Sequence, residues 1–155
     1  MKVMVLGLAL IAAPVSAEPV ELWNGVHVGD TLDTPRVDAL PSRVEISPDC
    51  RPYLDFRTEK KLIESVRLYG GSALDKGCFA LLRDGLRTKY GEPVSNSLIP
   101  AAGGRDTITR ETTTFQNATV RVTLKTATDS GYLGGYNYEV IYEPRSNVEK
   151  AAQSL

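Results

Sequence analysis

The chain has 155 residues, 42% of them hydrophobic and 24% charged, with a formal net charge of −1. That length fits one domain able to bury roughly two-thirds of the surface its unfolded form exposes, so folding needs no metal. The interspersed charges exclude the basic stripe of a nucleic-acid binder and the polybasic patch of a lipid-surface protein, and 1 His with 2 Cys cannot supply a zinc site.

The opening "MKVMVLGLALIAAPVSAEP" places Lys2 before an apolar run from Val3 to Ala13, followed by Pro14 and the small-residue exit Val15-Ser16-Ala17. This order predicts a secretory signal peptide over residues 1–17, with cleavage before Glu18. The run is shorter than the roughly 20 residues that span a bilayer. A single domain over residues 18–145 and a polar tail over 146–155 complete the expected organisation. The expected location is the periplasm or the secreted medium.

Asn24-Gly25 is a turn signal. Thr31 or Asp33 is placed to cap a short helix, Pro35 suits its first turn and Pro41 stops it. "YLDFRTEKKLIESVRLYG" reads as a hairpin with its turn in "RTEKK": Leu54 and Phe56 alternate with polar Asp55 and Arg57, and Leu62, Val66 and Leu68 share one parity, with Glu64 the exception. Ser72 and Asp75 have capping-box spacing. They precede the amphipathic stretch "CFALLRDGLRTKYGEP", whose stripe Phe79, Leu82, Leu86 and Tyr90 should face a sheet. Gly91 is expected in the left-handed region as its cap, with Pro93 blocking continuation. Gly77 and Gly85, costly inside a helix, point to close approach of a neighbouring backbone.

"SNSLIPAAGGRD" reads as a linker. "TITRETTTFQN", "ATVRVTLKTAT" and "GYNYEVIYEP" then read as three strands, with Tyr136, Tyr138, Val140 and Tyr142 on the core-facing parity of the last. The order is helix, hairpin, helix, three-stranded meander. It predicts an α+β domain with two helices packed on an antiparallel sheet of about five strands.

Cys50 and Cys78 are the only cysteines. An even pair in an oxidising compartment predicts a disulfide, clamping the start of the hairpin to the start of the following helix. The competing role, a reactive thiol at a helix N-terminus, lacks a CxxC motif and a nearby histidine.

No catalytic, cofactor-binding or metal-ligating residue is assigned, and no cofactor is expected. The glycines of "GYLGGYNY" precede a strand and lack the lysine of a phosphate loop. No GxSxG elbow accompanies His27. Glu139 with Glu143 and Asp49 with Asp55 are carboxylate pairs with the look of solvated surface. Trp23 and His27, in "LWNGVHVG", are the candidate interface residues, since tryptophan is enriched among interface anchors.

"GVHVGDTLDTPRVDAL" resembles the entry segment of small exported modules, and "LLRDGLRTKYGEP" is similar to the helix exits of such proteins. The resemblance is to the periplasmic modules of outer-membrane-assembly lipoproteins and of β-lactamase-inhibitor-like proteins. The absence of a cysteine after the signal departs from the lipoprotein pattern. The resemblance implies helices on an antiparallel sheet and a role in binding other proteins; it transfers no site residue. The expected function is a soluble, non-catalytic binding module for another envelope protein, with no nucleic-acid partner and no membrane span. An enzyme with an unrecognised site and a carrier of a small apolar ligand remain the alternatives.

Overall fold

A computed structural model describes residues 19–71, 76–105, 107–131 and 134–145. The expected signal peptide, the Ser72–Asp75 capping box and the polar tail lie outside the described residues.

The chain runs β1 (Glu21–Trp23), β2 (Val26–His27), α1 (Pro35–Asp38), β3 (Tyr53–Glu59), β4 (Leu62–Gly71), α2 (Lys76–Tyr90), β5 (Ser95–Ile99), β6 (Ile108–Gln116), β7 (Val120–Asp129) and β8 (Gly135–Pro144). β1 and β2 form a two-stranded sheet. The other strands form a six-stranded sheet in the order β3-β4-β8-β7-β6-β5, and every pairing in it is antiparallel.

The expected two helices on five strands are therefore corrected to a mostly β protein. α1 is a single turn of 4 residues, too short to form a layer. Its N-cap is Thr34, whose side chain makes no capping bond, and it ends at Asp38, ahead of Pro41. "SNSLI", read as linker, is strand β5, paired along its length with β6. Its lack of alternating hydrophobicity hid it, because pairing with β6 orders it without burying either of its faces. "LWNGVH" adds the small second sheet. Its Asn24-Gly25 turn has both residues at positive φ, 45° and 78°, the geometry of a tight hairpin turn.

One face of the large sheet is covered. Val66, Leu68, Val122, Leu124, Val140 and Phe115 are buried on it together with Tyr138 and Tyr142. Leu82 and Leu86 of α2, and Leu22 and Val26 of the small hairpin, join the same cluster. Each such side chain contributes about 1.5–3 kcal/mol on burial. The stripe of α2 faces the sheet as its spacing requires: Phe79 meets Tyr136 edge-on at 5.5 Å between centroids. Gly91 closes the helix at φ 82°, its N–H donating to the Arg87 carbonyl at 2.9 Å. Gly77 and Gly85, by contrast, have open space where a Cβ would stand, so the inferred backbone approach is absent.

In β4 the core-facing parity shifts. Ile63 is fully buried and Leu62 is 46% exposed. A register irregularity at Arg57/Thr58 inserts the change of phase, so Leu62 does not share the face of Val66 and Leu68.

The Cys50–Cys78 disulfide is present, with 4.8 Å between Cα atoms. It ties the segment before β3 to the first turn of α2. The Tyr138 hydroxyl donates to Cys78 Sγ at 2.9 Å, so β8 is held against the same junction. Tyr138 reaches it by passing over Gly70, where a Cβ would lie 2.5 Å from the Tyr138 oxygen.

Candidate binding surface

The second face of the sheet carries no helix among the described residues. Its side chains are those of the parity opposite the core: Tyr53, Asp55 and Arg57 on β3, Arg67 and Tyr69 on β4, Glu139 and Ile141 on β8, Thr123 and Lys125 on β7, Arg110 and Thr112 on β6. Strand register sets this composition, because a period of two alternates apolar and polar faces across the whole sheet.

The centre of this face holds a linked set of charges. Arg67 pairs with Glu139 and reaches Asp55 at 3.9 Å, while Lys125 Nζ lies 3.7 Å from the other Glu139 oxygen. The Arg67 guanidinium also stacks on Tyr69, 4.5 Å from its centroid. Tyr69 stacks on Tyr53 at 5.4 Å with 24° between planes. Arg43 closes the ladder 4.0 Å above the Tyr53 ring and bonds its hydroxyl. Two stacked tyrosines are thus bracketed by two arginines, a cation–π arrangement that fixes the ring planes.

Tyr53, Tyr69 and Arg67 of this ladder wall a recess of about 580 Å³, whose other boundaries include Arg110, Thr112, Lys125 and Glu139. Arg110 is exposed and has no ion-pair partner among the described residues. A smaller recess of about 340 Å³ adjoins it, lined by Arg43, Arg51, Asp49 and Tyr53. The chemistry on offer is ring stacking, guanidinium hydrogen bonding and ion pairing. Among the described residues no group of three or more His, Cys, Asp and Glu is placed to hold a metal.

A second feature is the outer edge of β5. Among the described residues β5 pairs only with β6, and Val94, Leu98 and Ile99 are 55%, 63% and 58% exposed.

Trp23 and His27 lie apart from both features. Trp23 is half-buried and packs against the core cluster. The His27 N–H donates to Asp30 at 2.8 Å, with its Nδ1 3.8 Å from the same carboxylate. Asp30 also accepts from Arg36. Burial acts to raise the Asp30 carboxyl, but the bonds from Arg36 and the His27 backbone, with the positive charges beside them, hold it below its ordinary 3.8. Glu139 and Glu143 share the open face, where each meets a cation: Glu139 as above, Glu143 with Arg121 at 3.8 Å. Burial pushes the Tyr136 and Tyr142 phenols well above their ordinary range, in keeping with the core role read from "YNYEVIY".

Residue reasoning missed the ladder Arg43-Tyr53-Tyr69-Arg67. Its members are scattered over three segments, and only the register of β3 with β4, which sets Tyr53 opposite Tyr69, brings them together. The sequence signal was the non-core parity of each strand.

No protein-family model matches the chain, no curated protein is significantly similar to it, and no solved structure is significantly similar to its fold. No described helix is long and apolar enough to cross a membrane.

Proposed function

We propose that the chain is an exported, non-catalytic binding module, periplasmic or secreted, whose partner is another envelope protein. The N-terminal sequence and the Cys50–Cys78 disulfide support export, since such bridges persist in oxidising compartments. The open face of the six-stranded sheet is the binding surface. The carrying observation is the Tyr–Arg ladder beside the recess of about 580 Å³. Tyrosine and arginine are the residue types enriched at interface centres, and preset ring planes lower the entropy lost on docking. Arg67, Arg110, Glu111, Lys125 and Glu139 at the recess suit a polar partner, while the apolar share of its lining is what a carrier of a small apolar ligand would use. Trp23 and His27 offer at most a subsidiary contact, because the core already occupies part of the tryptophan.

The test is affinity capture from the native envelope with the intact protein as bait, beside Tyr53→Ala and Trp23→Ala. Loss of the captured partner with Tyr53→Ala at an unchanged thermal midpoint supports the open face. Loss with Trp23→Ala alone moves the site to the hairpin. A turnover abolished by His27→Ala overturns the non-catalytic reading.

A further inference from the structure

We infer that β5 is a homodimer interface, at which two copies join edge to edge into one antiparallel sheet. This goes beyond the binding role of the open face and does not depend on it.

Natural sheets protect free edges with charged side chains, proline, bulges or covering segments. β5 has none of these along Ser95–Ile99. It holds no charge, its pairing with β6 is regular, and its outer side is uncovered among the described residues. Pro93 and Pro100 stand just outside it and limit a docked strand to about the same length as β5 itself. Three apolar side chains at or beside this edge are more than half exposed.

The sequence is self-complementary about Ser97. With Ser97 opposite its copy, Asn96 meets Leu98 and Ser95 meets Ile99, so no charge opposes a like charge. Val94, Asn96 and Leu98 share the parity of the covered face. Pairing therefore sets the two Leu98 side chains diagonally across the two-fold axis, each opposite the other copy's Asn96 and diagonal to its Val94, while each Asn96 keeps its bond to its own Glu111 at 3.1 Å. An isologous contact of this kind closes at two copies. A charge-free strand of matching length fits a second copy better than a charged partner strand. The two-fold axis of an antiparallel strand pair stands perpendicular to the sheet, so both open faces lie on one side. The dimer presents two recesses on a single twelve-stranded surface, and a bivalent partner gains avidity without new contacts.

Sedimentation of the intact chain should show a concentration-dependent dimer. Leu98→Lys sets two like charges beside the axis and should weaken the dimer by about tenfold or more, with the circular dichroism spectrum retained. Ser97→Cys supplies a register test. Residues directly opposite in an antiparallel pair stand roughly 4.5–5.5 Å apart at Cα, within disulfide reach. Mild oxidation should cross-link Ser97→Cys efficiently and Ser95→Cys poorly. A wild-type chain that stays monomeric at the highest soluble concentration overturns the proposal. So does a dimer indifferent to Leu98→Lys, or a monomer that instead docks a foreign strand on β5.

Discussion

The two edges of the six-stranded sheet are finished in opposite ways. β3 is shielded: Arg43 bridges to Tyr53, and the Leu54 and Val44 N–H groups exchange bonds with the Ser42 and Pro52 carbonyls. The strand itself carries Asp55, Arg57 and Glu59 and an irregularity at Arg57/Thr58, and Cys50 just before it is stapled to α2. β5 carries no charge and, among the described residues, has no cover on its outer side. Sheet edges template unwanted association, so protection on one side and its absence on the other mark where contact is prevented and where it is tolerated or used. The two sides also differ in how tightly they are constrained. The β3 side is where covalent and packing constraints converge; the β5 side can change without touching the core.

The largest effects should come from breaking the stapled side. Replacing both cysteines, as in Cys50→Ala with Cys78→Ala, should cost about 2–5 kcal/mol, the usual result of losing a native bridge, with about 3.5 kcal/mol expected from chain entropy for a loop of this size. Denaturant unfolding with and without reductant measures it. A loss under 1 kcal/mol would show that the hydrogen-bonded cover alone protects β3. Gly70→Ala should follow at about 1–3 kcal/mol, the range for overpacking. Its Cβ meets the Tyr138 oxygen and ring carbon at 2.5 and 2.8 Å, and Tyr138 is held by its bond to Cys78. Adding Tyr138→Phe removes the nearest atom and should relieve part of the steric penalty, visible as a non-additive double mutant.

The same asymmetry explains what residue patterns could reveal. The β3–β4 hairpin, the meander β6–β7–β8 and the stripe of α2 are legible because burial on one face imposes a period. The disulfide is legible because two cysteines leave only one possible pairing within the chain. β5 is not legible, since neither of its faces is buried and its order comes from β6. The parity of Leu62 failed because the register skips Glu64, the polar exception in that parity, and the phase changes there. The Tyr–Arg ladder required strand register, which no single segment encodes. The short helix at Pro35 is legible from Pro35 and Pro41, with Thr34 and not Thr31 or Asp33 as its cap; what the pattern overestimates is its weight, since 4 residues form no layer.

A smaller effect belongs to the small hairpin near the protected side. Asp30 links the His27 backbone to Arg36 of α1, and its carboxyl is held below its ordinary 3.8. A depressed carboxyl contributes stability that is fully present above the unfolded value and is lost as pH falls through the folded value. Asp30→Asn should therefore be less stable than wild type at neutral pH, with the gap shrinking as pH drops below 3.8. Unfolding midpoints across an acid series check this. A gap that stays constant with pH would assign the loss to geometry and not to charge.

The smallest expected change in stability lies on the open face. Arg110 is exposed, stands on β6 next to Ile99 of β5 and Ala127 of β7, and lines the large recess. It has no ion-pair partner among the described residues, so truncating it removes no internal contact of consequence. Arg110→Ala should leave unfolding free energy within about 0.5 kcal/mol of wild type, as for surface sites without such features. If the recess binds the partner, the same change should weaken capture by at least about 1 kcal/mol, because an unpaired guanidinium is free to form a charge-assisted hydrogen bond with a docked carboxylate. Measuring both on one variant separates the roles. Unchanged capture with unchanged stability would leave Arg110 a solvating residue and shift the binding surface toward the Tyr53–Tyr69 end. A marked loss of stability would contradict the claim that the β5 side can change without touching the core.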